Sequence, residues 1–479
     1  MKEKKEKKIA IIGAGPAGLS AGYILSKNQG NISVFEADRH VGGMSRTIKK
    51  KGHYFDIGPH RFFTKNEEIN RMIDELLGKE LIKVKRYTPI YYGKKFYNYP
   101  IKLGNVVKNF GLFKSLMVVG DYGVTKVRTK LRPKEEKSFE DWVTNRFGRR
   151  LFNTFFKAYT EKLWGVPTSE IGWEFAAQRI KGLSIMTAIK NAVIPQKGGE
   201  VRTLVDEFKY PKLGIGRIYQ RMSDEIKKNK KNNVQLKTKV LKINLKRGKI
   251  DSIVINENGR SKTIAVDELV SSMPITELIL SMHPLPPKKV ITAAKKLRFR
   301  GLISVLMTVK RRQVTEATWI YVHEPKASVG RITELRNWSN HMIPHRNKTN
   351  IIAEMWAWED EDKWKKSDKE LAEIAISDLT DLMGFFEKDE IVFSFVVREP
   401  KAYPAYIDNY KKHLKVVKKY LDSIPNLQIV GRYGTFMYNN QDHSIETGIM
   451  AAKNIIAGER IYDISSVNSD LDYHEEKKK

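Results

Sequence analysis

Apolar runs and alternations divide the chain into blocks. From residue 9 it reads IAIIGAGPAGLSAGYILS, then ISVFEADRHVGG, then HYFDIGPH. A short apolar run, a glycine turn, a helical repeat, a second apolar run, a second glycine turn and a third strand predict a βαβ unit over residues 9–60. From about 65 to 195 apolar positions recur mostly with helical spacing, with Ser138 as an N-cap before FEDWV and breaks at Pro133 and Pro167. Residues 234–274 alternate like strands, turn at Asn256–Gly259, and close on the apolar run LVSSMP. Strand-like LISVLMTV and IVFSFVV then flank the helical pattern KELAEIAISDLTDLMGFF, and after Leu427 a strand and glycine turn lead into the helix SIETGIMAAKNIIAG. No internal repeat is visible.

Charge changes this picture more than size does. The chain has 479 residues, and 87 Lys and Arg against 55 Asp and Glu leave a net charge of +32. Such a balance favours polyanions: nucleic acid, anionic lipid or phosphorylated small molecules. Nucleic acid would rest on net charge alone, since no helix-turn-helix, zinc-ligand or RNP pattern occurs, and it is not an expected partner. The absence of cysteine excludes disulfides, thiolate metal sites and cysteine nucleophiles, and no metal site is expected. HExxH is absent as well. KEKKEKK leads straight into Ile9, without the apolar stretch of a signal peptide, and no run of about 18 apolar residues occurs, so a cytoplasmic protein is expected. Residues 101–134 mix Val107, Phe110, Leu112, Phe113, Leu116 and Met117 with Lys102, Lys108, Lys114, Lys126, Arg128 and Lys130. That mixture suits either a helical subdomain with a solvated basic face or peripheral contact with an anionic inner membrane surface.

The strongest chemical signal is GAGPAG, with Gly13, Gly15, Pro16, Ala17 and Gly18. A dinucleotide pyrophosphate must lie against a helix N-terminus, where free N–H groups and the dipole meet its charge and side chains would obstruct it. The motif follows a strand, opens a helix and precedes Glu36, next to Ala37, at the end of the following strand, where a carboxylate can accept from ribose hydroxyls.

The continuation Glu36, Gly42-Gly43, Thr47 forms an ExxxxxGGxxxT pattern that resembles FAD proteins of the glutathione-reductase type, of the amine oxidase and phytoene desaturase kind. The resemblance implies an α/β fold with a Rossmann-like FAD-binding domain, a helical subdomain and a mixed-sheet substrate subdomain. It also implies non-covalent FAD, with Gly431 and Arg432 beside the flavin chain, the helix from Ser444 aimed at the isoalloxazine, and Val240 meeting the adenine. A core valine explains Val240 equally well. Within this group the chain resembles the UDP-galactopyranose mutases in more places. Met44-Ser45 follow the second glycine pair; GPHRFF places His60 and Arg61 in the loop under the flavin; AYTEKLWGVPTSEI is similar to a tryptophan-proline stretch. The most specific match is Asn440, Gln441, Asp442, His443 and Ser444 after RYGTFMY.

That resemblance implies reduced flavin N5 attacking the anomeric carbon of a nucleotide-diphosphate sugar, ring opening and reclosure without net redox, and a role in cell-surface glycan precursor synthesis. Arg179 and Arg331 would grip the diphosphate, Tyr403 and Tyr438 would hydrogen-bond it, Asn440 would face the sugar and Gln441 the cofactor. NAD(P)H is a candidate external reductant. Three departures stand out: Thr160 replaces the family's uridine-side asparagine, Tyr91, Tyr92, Tyr97 and Tyr99 all compete as the uracil-stacking ring, and Arg61 after His60 is not shared by the mutases, which would make the flavin's re face more cationic. The alternative function is an FAD oxidoreductase of the amine oxidase, protoporphyrinogen oxidase or phytoene desaturase type. The expected division is a discontinuous FAD domain (8–65, 200–275, 425–460), a helical subdomain (66–199), a substrate domain (276–424) and charged tails (1–7, 465–479). Oligomeric state leaves no mark in the sequence.

Overall fold

The computed structural model describes residues 6–28, 30–99, 103–132, 135–173, 207–407 and 409–468. The chain forms two compact units, one of residues 1–82, 209–299 and 401–470, the other chiefly of 83–208 and 300–400. Relative to the expected division, residues 66–82, 276–299 and 401–424 group with the nucleotide-binding segments, and the helical stretch from 83 onward groups with the sheet of residues 300–400.

The first unit is built on a five-stranded parallel sheet. Its strands are β1 (Ile9–Ile12), β2 (Ile32–Phe35), β3 (Asn233–Gln235), β4 (Glu268–Ser271) and β5 (Leu427–Ile429), in the order β5-β4-β1-β2-β3. Parallel strands need cover on both faces. One face is covered by α1 (Pro16–Asn28), which packs against α2 (Gly216–Lys227) and α3 (Gln441–Ala457). Glycine permits that closeness, because a Cβ at Gly448 would stand 2.1 Å from the Ala17 carbonyl oxygen and one at Gly22 2.9 Å from Ile226. The other face buries Ala10, Ile12, Phe35 and Leu269 against Ile243, Ile253 and Ile255 of a four-stranded sheet and the helices Ile275–Ser281, Lys288–Lys295 and Tyr410–Asp422. Each such fully buried side chain contributes roughly 1.5–3 kcal/mol. The anticipated turn closes on Asn258 and Gly259, both at positive φ, and a second at Arg247-Gly248 does the same.

The second unit carries a seven-stranded sheet in the order Ile391–Pro404, Phe299–Val309, Thr349–Ala357, Arg331–Glu334, Trp319–Val322, Ile90–Tyr92, Lys95–Tyr97. Alternation sorts its side chains. Ile303, Val305, Met307, Ile332, Ile351, Ala353 and Met355 face Leu371, Ala375 and Leu379 of the helix beginning at Asp368. The opposite register positions mix Ser304, Thr308, Tyr321, Arg331, Asn350 and Glu354 with the apolar Leu302, Leu306, Ile352 and Trp356. One sequence expectation is refined and one corrected here. Within the described part of the block from 65 to 195, read as mostly helical, the strands Leu81–Lys85, Ile90–Tyr92 and Lys95–Tyr97 stand between helices. A hairpin at Gly93-Lys94, both at positive φ, joins the latter two, and a lysine in that conformation gives no turn signal. The last helix starts at Gln441 rather than Ser444, because Asn440 and His443 cap it reciprocally.

Candidate functional site

The nucleotide-binding motif is assembled entirely within the first unit. Gly13 sits at φ +94°, and a Cβ there would lie 2.2 Å from Ser272 Oγ; one at Gly18 would lie 1.9 Å from the Gly13 carbonyl oxygen. Both glycines are therefore required by the protein's own packing. Gly15 is different. Its φ is not in the left-handed range, and a Cβ there would meet nothing nearer than Gly43 Cα at 3.8 Å. Neither backbone strain nor protein packing demands glycine at 15, so the open space beside it is the feature to be kept.

The second glycine pair closes over the same place. Gly42 N–H donates to the Ala14 carbonyl at 2.8 Å, and Gly42 and Gly43 hold φ of +107° and +53°. Arg46 donates through Nη1 to the Gly43 carbonyl at 2.9 Å and lies 3.6 Å from Asp38. Glu36 accepts from Ala14 N–H at 2.7 Å and Asp38 N–H at 2.8 Å, and burial pushes its carboxyl above the usual range. Since a carboxylate offers about four acceptor positions, two remain for ribose hydroxyls. Two opposed glycine turns at the N-terminus of α1, with a buried acid behind them, fit a dinucleotide pyrophosphate and adenosine ribose. Val240 is a core side chain, with Ile243 and Ile255 as neighbours in its cluster, so any contact it makes with an adenine is through its backbone.

Thr47, the last position of the motif, works inside the protein. Its hydroxyl donates to Asp56 at 2.6 Å and accepts from Gly216 N–H at 2.8 Å; Asp56 also accepts from the Tyr210 hydroxyl and Ile215 N–H. Burial raises the Asp56 carboxyl to about 6 from an ordinary 3.8. The folded protein thus keeps this proton to higher pH than the unfolded chain, so the site makes folding less favourable as pH rises from about 4 to about 6, by up to about 3 kcal/mol. Urea midpoints across that window are expected to fall with pH more steeply in wild type than in Asp56→Asn. Parallel profiles would contradict the assignment.

The C-terminal signature is brought to the same unit. Gly431, at φ +75°, would place a Cβ 3.0 Å from Ala17 Cβ, and its N–H donates to Thr447 Oγ1 at 3.0 Å. Ser444 lies within the first turn of α3, its N–H donating to the Asn440 carbonyl at 3.0 Å. Gln441 is fully engaged: Nε2 donates to the carbonyls of Arg61 (2.6 Å) and His60 (3.3 Å), while Oε1 accepts from the Tyr219 hydroxyl (2.6 Å). Its amide fixes the His60-Arg61 loop to α3, which differs from the direct cofactor contact the resemblance implied. Tyr219 had no signal in the sequence, being one buried tyrosine among many. Asp442 is largely buried at the start of α3 with its carboxyl raised by desolvation, and its Oδ1 has no hydrogen-bond partner among the described residues, leaving it available to a ligand N–H or O–H.

Arg432 also turns inward. Nε donates to the Asn439 carbonyl (2.8 Å) and Nη1 to that of Ala402 (3.1 Å), and the guanidinium lies 5.3 Å from the Tyr403 ring and 5.0 Å from the Tyr438 ring. Those two rings stack at 5.4 Å, and Tyr406 Oη accepts from Tyr438 N–H at 2.8 Å. The sequence-predicted tyrosines therefore form one braced platform, with Arg432 as its brace.

The second unit gathers a separate cationic and aromatic face. Arg331 and Glu354 are register partners on adjacent strands; Nε and Nη2 donate to the two carboxylate oxygens at 2.5 Å each, and Glu354 is fully buried. Tyr321 pairs with Arg331 on the next strand. Arg331 lies 5.8 Å from the Trp356 ring, which meets Tyr159 edge-on at 5.8 Å; Tyr159 meets Tyr321 at 5.5 Å and stacks on His323 at 5.0 Å. Tyr99 contacts Tyr321 at 5.5 Å and so joins this cluster, whereas Tyr91 and Tyr97 are buried in packing roles. Lys162 caps the carbonyls of Val322 and Glu324 at 3.0 and 2.7 Å, and burial lowers its ammonium to about 8. Thr160 is buried, and Gly165 packs on the Arg300 guanidinium, giving the tryptophan-proline stretch a structural role. Arg179 lies outside the described residues. Glu354 was missed because nothing in a single sequence announces a strand-register partner, and Lys162 because nothing announces which distant carbonyls a lysine will cap.

Comparison with known proteins agrees with this geometry. Residues 16–456 match the family described as flavin containing amine oxidoreductase. The chain belongs to that family. It is an FAD flavoprotein and an enzyme of this superfamily. It is 22% identical to protoporphyrinogen oxidase 2 of Arabidopsis thaliana across 94% of each chain, and 39% identical to an L-amino-acid oxidase of Crotalus adamanteus over 82 residues, 17% of this chain and 15% of that one. Among solved structures, reduced UDP-galactopyranose mutase superposes with a TM-score of 0.81 at 20% identity over 97% of both chains. Putrescine oxidase bound to putrescine gives 0.60 at 15% identity, covering 94% of this chain and 99% of that one. These likenesses establish the fold. No helix among the described residues is long and apolar enough to cross a membrane.

Proposed function

We propose that this flavoenzyme acts at the anomeric carbon of a nucleotide-diphosphate sugar, interconverting ring forms without net oxidation. The carrying observation is the cluster on one face of the seven-stranded sheet, where Arg331 is held by both oxygens of a fully buried Glu354 beside Tyr321, Tyr159 and Trp356. The likeness in fold to UDP-galactopyranose mutase supports the same reading.

Bound FAD, once reduced, would supply a nucleophilic nitrogen. Gly15, Gly42-Gly43 and Glu36 hold it by pyrophosphate and ribose, and His60 and Arg61 sit in a loop fixed by Gln441. Arg331, with Arg179, neutralises charge that grows on the departing diphosphate, a role for which a planar two-donor fork is suited. In this reading Tyr403 and Tyr438 hydrogen-bond a diphosphate, Asn440 faces a sugar and Tyr99 is the candidate to stack on a base. NAD(P)H is the class of external reductant in this reading, and the product is a precursor for cell-surface glycans.

Enzyme reduced with dithionite and given UDP-galactose is expected to form the furanose, with no reductant consumed per turnover, as read by chromatography. The protoporphyrinogen oxidase relatives favour one other reading, oxidation of an organic substrate by the bound flavin. Steady oxygen consumption with an amine, a porphyrinogen or a polyene, and no furanose, would establish that reading instead.

A further inference from the structure

The helix Leu112–Leu131, in the second unit, runs 20 residues with its solvent side lined by large apolar groups. Phe113 is 75% exposed, Leu116 61%, Val124 69%, Val127 59% and Leu131 75%. At 3.6 residues per turn these five fall within an arc of about 80°. Ser115 and Tyr122, which are buried, lie on the opposite side and attach the helix to its unit. The stripe is thus not a core face left over from packing.

Charge frames it on both flanks. Arg128 and Lys114 lie to one side of the stripe, Lys130 and Lys126 to the other, and all four are exposed. Asp121 is the helix's one acidic residue, and its Oδ2 accepts from Arg150 N–H at 2.9 Å. Lysine and arginine beside an apolar stripe can lay their stems along hydrocarbon while their heads stay at phosphate level. A second copy of this face would set cations against cations, with no exposed acids to answer them. An anionic phospholipid surface is the occupant whose charge matches, and the net charge of +32 adds long-range attraction toward it.

We propose that residues 112–131 form an interfacial helix that docks the protein on anionic lipid, with Phe113, Leu116, Val124, Val127 and Leu131 entering the boundary of the acyl region. Five exposed aliphatic and aromatic groups on one stripe give the apolar area for this; the four cations choose the lipid.

The test uses the full-length flavoprotein and sedimentation with vesicles of phosphatidylcholine alone or mixed with phosphatidylglycerol. Wild type is expected to sediment with the mixed vesicles and to stay in solution with phosphatidylcholine. Lys126→Gln with Lys130→Gln should weaken binding about 25-fold, roughly fivefold per cation. Leu116→Ser with Val124→Ser and Leu131→Ser, changes to solvent-facing side chains that should leave flavin content intact, should weaken it at least tenfold. In Leu116→Trp the new indole's emission should shift to the blue on vesicles and be quenched by lipids brominated in the upper acyl chain. Sedimentation of the triple variant equal to wild type would mean adsorption by net charge alone and would overturn the proposal. So would wild type remaining in solution with mixed vesicles, an indole in Leu116→Trp that the brominated lipids leave unquenched, or self-association that the triple variant abolishes.

Discussion

Gly15→Val is expected to purify colourless and to take up no FAD on reconstitution, while its apoprotein unfolds close to where the wild-type apoprotein does. The split between cofactor and fold follows from the surroundings of the three motif glycines. At Gly13 a side chain would strain a φ of +94° and collide with Ser272, and at Gly18 it would overlap the Gly13 carbonyl. Substitution at those two positions costs folding free energy, and loss of FAD there would say nothing about direct contact. At Gly15 a Cβ has no described residue nearer than Gly43 Cα at 3.8 Å, so valine is expected to intrude chiefly on the space kept for pyrophosphate. Losing two charge-assisted hydrogen bonds to backbone N–H groups removes about 3–6 kcal/mol of FAD binding, at least two decades of affinity. Gly15→Ala should weaken binding less, because its methyl can be accommodated by a small shift. The measurement is flavin absorbance per chain alongside thermal unfolding of the two apoproteins. Stoichiometric FAD in Gly15→Val would remove the pyrophosphate from this turn.

The first unit was legible because its chemistry is local. Gly13 to Gly18, Glu36 and Gly42-Gly43 fall within a stretch of some thirty residues whose periodicity also predicts β1, α1 and β2, and the structure places them together. Roles that depend on distant partners were not legible. Gln441 and Arg432 stand in a motif that suggests ligand contact, yet their donors go to the carbonyls of Arg61 and His60 and of Asn439 and Ala402. Their work is to hold the loop and the tyrosine platform, and a motif cannot tell holding from touching. Strand register is equally silent: Glu354 is 23 residues from Arg331 in the chain, and only antiparallel pairing sets them opposite one another. A helix start is also hard to read where an asparagine-histidine cap replaces the usual serine, as at Asn440.

The Arg331-Glu354 pair yields the second large effect, and a double substitution separates its structural from its functional part. Removing either partner alone strands the other: Glu354 is fully buried and Arg331 is 16% exposed, so each single methionine variant should lose about 3–5 kcal/mol of stability. Those variants cannot decide what Arg331 does for a ligand, because lost binding could follow from a loosened sheet. Arg331→Met with Glu354→Met removes both charges and keeps similar volume, and stability is expected to return to within about 1 kcal/mol of wild type. Its FAD content should be normal, because the glycine turns that hold the cofactor belong to the other unit. UDP binding, read from perturbation of the reduced-flavin spectrum, should still be weakened by about 2–5 kcal/mol, since one of the two proposed diphosphate-binding arginines is gone. Arg331→Lys, with Glu354 retained, should recover part of that loss but not the two-donor geometry. A double variant that folds, holds FAD and binds UDP as wild type does would make the ion pair purely structural. Arg331 would then drop out of the proposed diphosphate site, leaving Arg179 and the Tyr403-Tyr438 platform to carry it.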